Sequence, residues 1–126
     1  MISRKELEMS AYYYLGLDQG TTGTTALLLD ENWTVAAKGY TEHEQIFPKP
    51  GWVEHDPMEI WNSVLSAILD ACEIAGTDPS HIKCIGIDNE GETVMLWDRI
   101  TGVPVYNAIV WQDRRTARYA DTLTEK

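Results

Sequence analysis

Two apolar runs flank Asp18-Gln19-Gly20-Thr21-Thr22-Gly23-Thr24-Thr25, and this arrangement constrains the fold more than any other stretch of the chain. Tyr12-Tyr13-Tyr14-Leu15-Gly16-Leu17 has the aromatic and branched content of a buried strand, and Ala26-Leu27-Leu28-Leu29 resumes apolar beyond the turn. The segment therefore reads as strand, tight turn and strand. Glycines let backbone approach an oxyanion closely, and threonine hydroxyls and turn N–H groups donate to phosphate oxygens. An aspartate at a strand end can hold a cation or its water. Two readings are open at this point: a hairpin whose Gly and Thr residues serve only the turn, and a phosphate cradle with its metal carboxylate. Neither Gly-x-x-x-x-Gly-Lys-Ser/Thr nor Gly-x-Gly-x-x-Gly occurs, so this is neither a Walker loop nor a dinucleotide fingerprint.

The 126 residues, 44% of them hydrophobic, suffice for one core and one domain. A formal net charge of −10 argues against nucleic acid and against anionic membrane surfaces, which both call for clustered Lys and Arg. The same field opposes a bare phosphate, so a divalent cation is expected to accompany any phosphorylated ligand. Cys72 and Cys84, the only cysteines, form neither a Cys-x-x-Cys pair nor a metal-spaced cluster and read as free thiols of a reducing compartment. His43, His55 and His81 are scattered and read as structural or surface residues. Met1 to Ser10 has no signal-peptide core, and no apolar run approaches the ~20 residues that span a bilayer. A soluble, cytoplasmic protein is expected.

Strands are expected at Tyr12–Leu17, Thr24–Leu29 and Trp33–Tyr40, with Asp30-Glu31-Asn32 as a turn. Thr41 to Pro57, broken by Pro48, Pro50-Gly51 and Pro57, reads as a surface loop. Asp56-Pro57-Met58-Glu59 then supplies an N-cap, a first-turn proline and a first-turn carboxylate for a helix that Gly76 can end. Ile60, Trp61, Val64, Leu65, Ile68, Leu69 and Cys72 recur at helical spacing and are expected in the core. His81–Ile87 reads as a central strand after the turn Asp78-Pro79-Ser80, Thr93–Trp97 as a short strand, Ala108–Trp111 as a short apolar stretch and Asp113–Leu123 as a helix. Arg114 and Arg115 are expected as a solvated pair at its start. The order predicts an α/β layer in which Asp18, Asn89-Glu90-Gly91-Glu92 and Trp111-Gln112-Asp113 all leave strand ends, where such sheets gather ligands.

Three segments together resemble the FGGY family of carbohydrate kinases, across nearly the whole chain after Ala11. They are Gly16-Leu17-Asp18-Gln19-Gly20-Thr21-Thr22, the stretch from Phe47 through Pro50-Gly51-Trp52-Val53-Glu54-His55-Asp56 to Trp61, and Asn107-Ala108-Ile109-Val110-Trp111-Gln112-Asp113-Arg114-Arg115-Thr116. The second and third are long and specific, and favour the phosphate reading of the first turn over the plain hairpin.

The resemblance implies an actin-like, ribonuclease H-like ATPase domain with a mixed sheet and flanking helices, of which this chain is the N-terminal part. It implies 1–11 as an N-terminal extension, 12–126 as the N-terminal kinase domain, and a C-terminal ATPase domain with the catalytic base and adenine pocket as a missing partner. The implied activity is transfer of the ATP γ-phosphate to a hydroxyl of glycerol or a related polyol or sugar, with ATP and Mg²⁺. Asp18 matches the metal-associated, catalytic aspartate. Gly20, Thr21, Thr22 and Gly23 match the phosphate turn, Glu92 the acceptor for substrate hydroxyls and Trp111 the aromatic wall. Three positions depart from the pattern: against the expected Asn-Gln-Arg-Glu-Thr the chain reads Asn89-Glu90-Gly91-Glu92-Thr93, so Gly91 stands where a substrate-binding arginine is expected with a second acid, Glu90, beside it, and Thr25 stands where a basic residue follows the turn. A changed polyol preference or weak activity would follow, and the alternative is a non-catalytic binding or structural fragment. An exposed face left for the partner domain would favour homo-oligomers.

Overall fold

The computed structural model describes residues 12–124. The N-terminal extension expected over 1–11 lies outside the described residues. Three antiparallel strands open the fold: β1 (Tyr13–Gln19), β2 (Gly23–Leu29) and β3 (Val35–Glu42). Their inward residues follow a period of two, with Tyr13, Leu15 and Leu17 buried on β1, Thr24, Ala26 and Leu28 on β2, and Ala37 on β3. Leu15 faces Leu28 and Leu17 faces Ala26 across the first ladder. Strand β3 starts two residues later than expected. Trp33 takes a left-handed φ of 62° and stacks its ring on Tyr14 at 4.6 Å, while Asp30 Oδ1 accepts from the N–H groups of Asn32 and Thr34. A bulky residue in that conformation cannot extend a strand.

A crossover helix, α1 (Pro57–Ala75), carries the chain to β5 (Ile82–Asn89), which pairs parallel with β1 so that Leu15 faces Ile85 and Leu17 faces Ile87. The sheet order is β3-β2-β1-β5, and α1 packs chiefly on β3 and β2. Asp56 caps α1 by accepting from Met58 N–H at 2.8 Å. Gly76, at φ 65°, ends it and sends its N–H to the Glu73 carbonyl at 3.0 Å.

The buried line of α1 differs from the expected stripe. Ser63, Ala67, Ala71 and Cys72 are buried, Val64 and Ile68 pack partly against the core, and Trp61, Leu65 and Leu69 are exposed. The small residues lie opposite Gly39. A Cβ there would sit 2.9 Å from Ala71 N and closer still to the Ala67 carbonyl, so helix and β3 touch backbone to backbone and only small side chains fit between them. Leu65 and Leu69 instead line an open apolar groove of about 390 Å³ with Leu15, Ile82 and Ile85.

The expected loop Thr41–Pro57 carries a two-residue strand, β4 (Glu54–His55), which pairs antiparallel with β6 (Ala108–Ile109). Ile46 and Glu54 exchange backbone hydrogen bonds of 2.8 and 2.9 Å on the other side of β4. Thr93–Trp97 is not a strand. Among the described residues it makes only the single bridges Val94–Ile109 and Trp97–Pro104, and Val94, Leu96 and Trp97 are exposed, so no buried face holds a longer ladder. The last helix, α2 (Ala117–Thr124), begins four residues later than expected, because Asp113 is drawn out of helical geometry to accept from the N–H groups of Arg115 and Val53. Among the described residues, no helix is long and apolar enough to cross a membrane.

Candidate functional site

Strand β1 delivers Asp18 exposed near its end, beside Thr25 on β2 and Asp88 on β5. The chain then reverses in a tight turn closed by Gly20 N–H donating to the Gly23 carbonyl at 3.0 Å. Gly23 is required by close approach, since a Cβ there would lie 2.6 Å from the Thr41 carbonyl oxygen. Thr22 is exposed, Thr21 half-buried. The turn is also held from behind. His43 N–H donates to the Thr22 carbonyl at 3.2 Å, and its Nε2 lies 3.1 Å from the Thr21 carbonyl, an acceptor that requires the proton on Nε2.

His43 and His55, scattered in sequence, meet edge to face with ring centroids 4.7 Å apart. His55 is fully buried, and neither of its ring nitrogens has a hydrogen-bond partner among the described residues. Burial first, and the neighbouring His43 second, push its pKa below the usual imidazole value, so it is held neutral.

Thr21 joins this turn to the other predicted residues. Its hydroxyl lies 2.8 Å from Glu90 Oε2, and the Trp111 indole Nε1–H donates to Thr21 Oγ1 at 3.1 Å. Thr93 donates to the second oxygen of Glu90, and the Glu90 N–H donates to the Gln19 carbonyl at 3.1 Å. The turn after Asp18, the Asn89–Glu92 loop and Trp111 are therefore one polar cluster. Beside it, Glu92, Val94, Ile109, Trp111 and Arg115 line a cleft of about 280 Å³. Glu92 is exposed, and a Cβ on Gly91 would have nothing within 4 Å. A separate groove of about 500 Å³ between the end of β3 and the start of α1 presents Glu42, Glu44 and Glu59, a lining unsuited to phosphate.

The floor of the cleft rests on an ion network that the solvated reading of Arg115 missed. Glu54, 1% exposed, takes Arg115 Nη2 at 2.6 Å, Tyr106 Oη at 3.1 Å and Asn107 Nδ2 at 2.9 Å. Arg115 also forks onto Asp113 at 2.9 and 2.8 Å and lies over the Trp52 ring at 3.8 Å. Burial raises the Glu54 pKa, but the bonds from Arg115, Asn107 and Tyr106 outweigh it and leave the carboxyl below its usual range. Arg115 holds Asp113 down to about 2, and the two carboxylates hold the guanidinium charged. Arg114, by contrast, is exposed and contributes its backbone N–H to the Gly51 carbonyl. The signal available in the sequence was the joint presence of the Trp52–His55 and Asn107–Arg115 segments, which fold against each other.

Comparison with known proteins places these features in a common frame. Residues 13–126 match the FGGY family of carbohydrate kinases, N-terminal domain. The chain is 54% identical over 114 residues to a glycerol kinase of Rhizobium meliloti, covering 90% of this chain and 23% of that protein. Among solved structures, a Plasmodium falciparum glycerol kinase with ADP superposes at a TM-score of 0.83 with 38% identity, over 93% of this chain and 24% of that one. A gluconate kinase from Lactobacillus acidophilus superposes at 0.83 with 25% identity, over 92% and 23% of the respective chains. The chain thus spans under a quarter of the length of these relatives.

Proposed function

Because the chain belongs to the FGGY family of carbohydrate kinases, with the mixed sheet and flanking helices of its actin-like, ribonuclease H-like N-terminal domain, we propose that it supplies the substrate and phosphate-binding side of an ATP-dependent kinase. The reaction would move the ATP γ-phosphate to a hydroxyl of glycerol or a related polyol or sugar. The observation that carries this reading is the 3.1 Å bond from Trp111 to Thr21, which brings the side chain matched to the substrate wall against the turn matched to phosphate.

Asp18 fits a magnesium–nucleotide complex in one respect: it is an exposed carboxylate at the mouth of the turn. Among the described residues, no group of three or more His, Cys, Asp or Glu could enclose a metal by itself. A single carboxylate is what Mg²⁺ needs when phosphates and waters complete its shell. The ion, when bound, would neutralise charge on the transferring phosphoryl group. That role matters here, since Asp18, Asp88, Glu90 and Glu92 all lie on the turn or the adjoining β5 end.

The protein's own groups do the positioning. Thr22 and the turn N–H groups face the phosphate, Glu92 accepts from a substrate hydroxyl, and the half-open indole of Trp111 covers the C–H edge of a polyol. With Gly91 in place of a guanidinium, the site has one charged donor fewer, which favours a changed acceptor preference or weak activity toward glycerol. A cytoplasmic setting, where ATP is available, is part of this reading.

The decisive experiment joins this domain to the remaining region that its relatives carry and measures phosphoryl transfer from Mg·ATP to glycerol and to longer polyols. Turnover that disappears in Asp18→Ala, with the fold retained, supports the reading. Undiminished turnover in that variant removes Asp18 from its role.

A further inference from the structure

We propose that Glu90 is a positioning residue that fixes the proton of Thr21 and, through Thr21, the orientation of the Trp111 indole, so that the phosphate turn and the substrate wall move as one body. The proposal concerns the site described above and rests on its reading as a kinase site, but the hydrogen-bond logic is independent of the reaction.

That logic is a matter of counting donors. An indole Nε1–H can only donate, so the 3.1 Å contact uses a lone pair of Thr21 Oγ1. An ionised carboxylate can only accept, so the 2.8 Å contact uses the single proton of Thr21. The second Glu90 oxygen receives Thr93, and the Glu90 N–H is tied to the Gln19 carbonyl, next to Asp18. The chain of donation therefore runs in one direction only, from Trp111 to Thr21 to Glu90. Charge-assisted acceptance by a carboxylate makes its last link the strongest.

Two consequences distinguish this from a passive contact. The Thr21 hydroxyl is not available to donate to a phosphate while Glu90 holds it, which leaves Thr22 and the backbone N–H groups as the donors of the turn. Moreover, an amide at position 90 cannot reproduce the whole arrangement, because it keeps one acceptor oxygen and its NH₂ must face either Thr21 or Thr93, so that one of those two hydroxyls would have to turn round.

The test follows the Trp111 indole N–H by ¹⁵N NMR in the 126-residue chain, with Trp97 as internal reference. Glu90→Ala and Thr21→Val should each shift the Trp111 signal and speed its solvent exchange severalfold, and Glu90→Gln, which is isosteric, should give an intermediate effect. In the longer kinase, Glu90→Ala should lower kcat about tenfold and raise the KM for the hydroxyl acceptor, with Glu90→Gln recovering part of both. An unmoved Trp111 signal in folded Glu90→Ala and Thr21→Val would overturn the proposal. Absence of kinase activity in the unaltered protein would instead overturn the functional reading and leave the NMR result to stand alone.

Discussion

Arg115 Nη2 sits 2.6 Å from Glu54 Oε1, across 61 residues of sequence, and this pair ties the two short strands beneath the cleft to the chain that follows them. Glu54 is almost fully buried and, among the described residues, Arg115 is the one cation within bonding distance of it. Removing the guanidinium leaves an uncompensated buried charge, so Arg115→Ala should cost about 3–5 kcal/mol of unfolding free energy. Arg114→Ala, on the adjacent exposed residue, should change it by less than about 0.5 kcal/mol. Urea denaturation of the two variants checks the contrast, and equal midpoints would contradict the network's role.

Acid should weaken the domain in two stages. His55 has a lowered folded pKa, because burial opposes its charge, so the unfolded chain takes up a proton more readily. The stability it contributes is complete above the ordinary imidazole value of ~6.5 and is lost as pH falls below it. Glu54 and Asp113 are also lowered, Asp113 to about 2 from 3.8, so their contribution is complete above the ordinary carboxylate range and drains away as pH falls toward 2. Urea midpoints measured from pH 7.5 to 3 should therefore fall first below ~6.5 and again below ~4. His55→Gln should abolish the first fall and keep the second.

The contact between α1 and β3 should be intolerant of a single methyl group. Gly39→Ala places a Cβ against the backbone of Ala67 and Ala71, which cannot move aside as a flexible side chain would. The expected cost is at or above the upper end of ~1–3 kcal/mol for overpacking. Gly86→Ala, whose Cβ meets nothing within 4 Å, serves as the control strand glycine. Comparable midpoints for the two alanine variants would mean that helix and strand are less closely apposed.

A buried hydroxyl pair beneath the turn offers a directional test. Ser63 donates to the Ile60 carbonyl at 2.8 Å, so its contact with Thr24 at 2.9 Å must carry the Thr24 proton. Ser63→Ala strands that proton in the core and should cost ~1–3 kcal/mol, whereas Thr24→Val leaves only a lone pair unmatched and should cost less. The double variant should be less destabilised than the sum of the two, measured as a double-mutant cycle. Strict additivity would show that the hydroxyls do not interact.

Local chemistry was legible without coordinates wherever neighbours in sequence decide the outcome. The caps of α1 at Asp56 and Gly76, the period-two burial of β1 and β2, and the turn between them all follow from residues a few positions apart. The family resemblance was equally legible, because it rests on contiguous motifs. What only the tertiary structure decided was which distant groups share a proton or a charge. Glu90 became the partner of Thr21 through the parallel pairing of β5 with β1, His43 the neighbour of His55 through the bridge of Ile46 to Glu54, and Arg115 the counter-ion of Glu54 beside the two-residue ladder of β4 with β6. The same holds for the buried face of α1: helical spacing marked the bulky apolar stripe, but the backbone contact at Gly39 admits only small residues on the β3 side, while Leu65 and Leu69 stay exposed in an open apolar groove beside Ile82 and Ile85. Periodicity measures which residues can face one way, and close packing determines which of them fit.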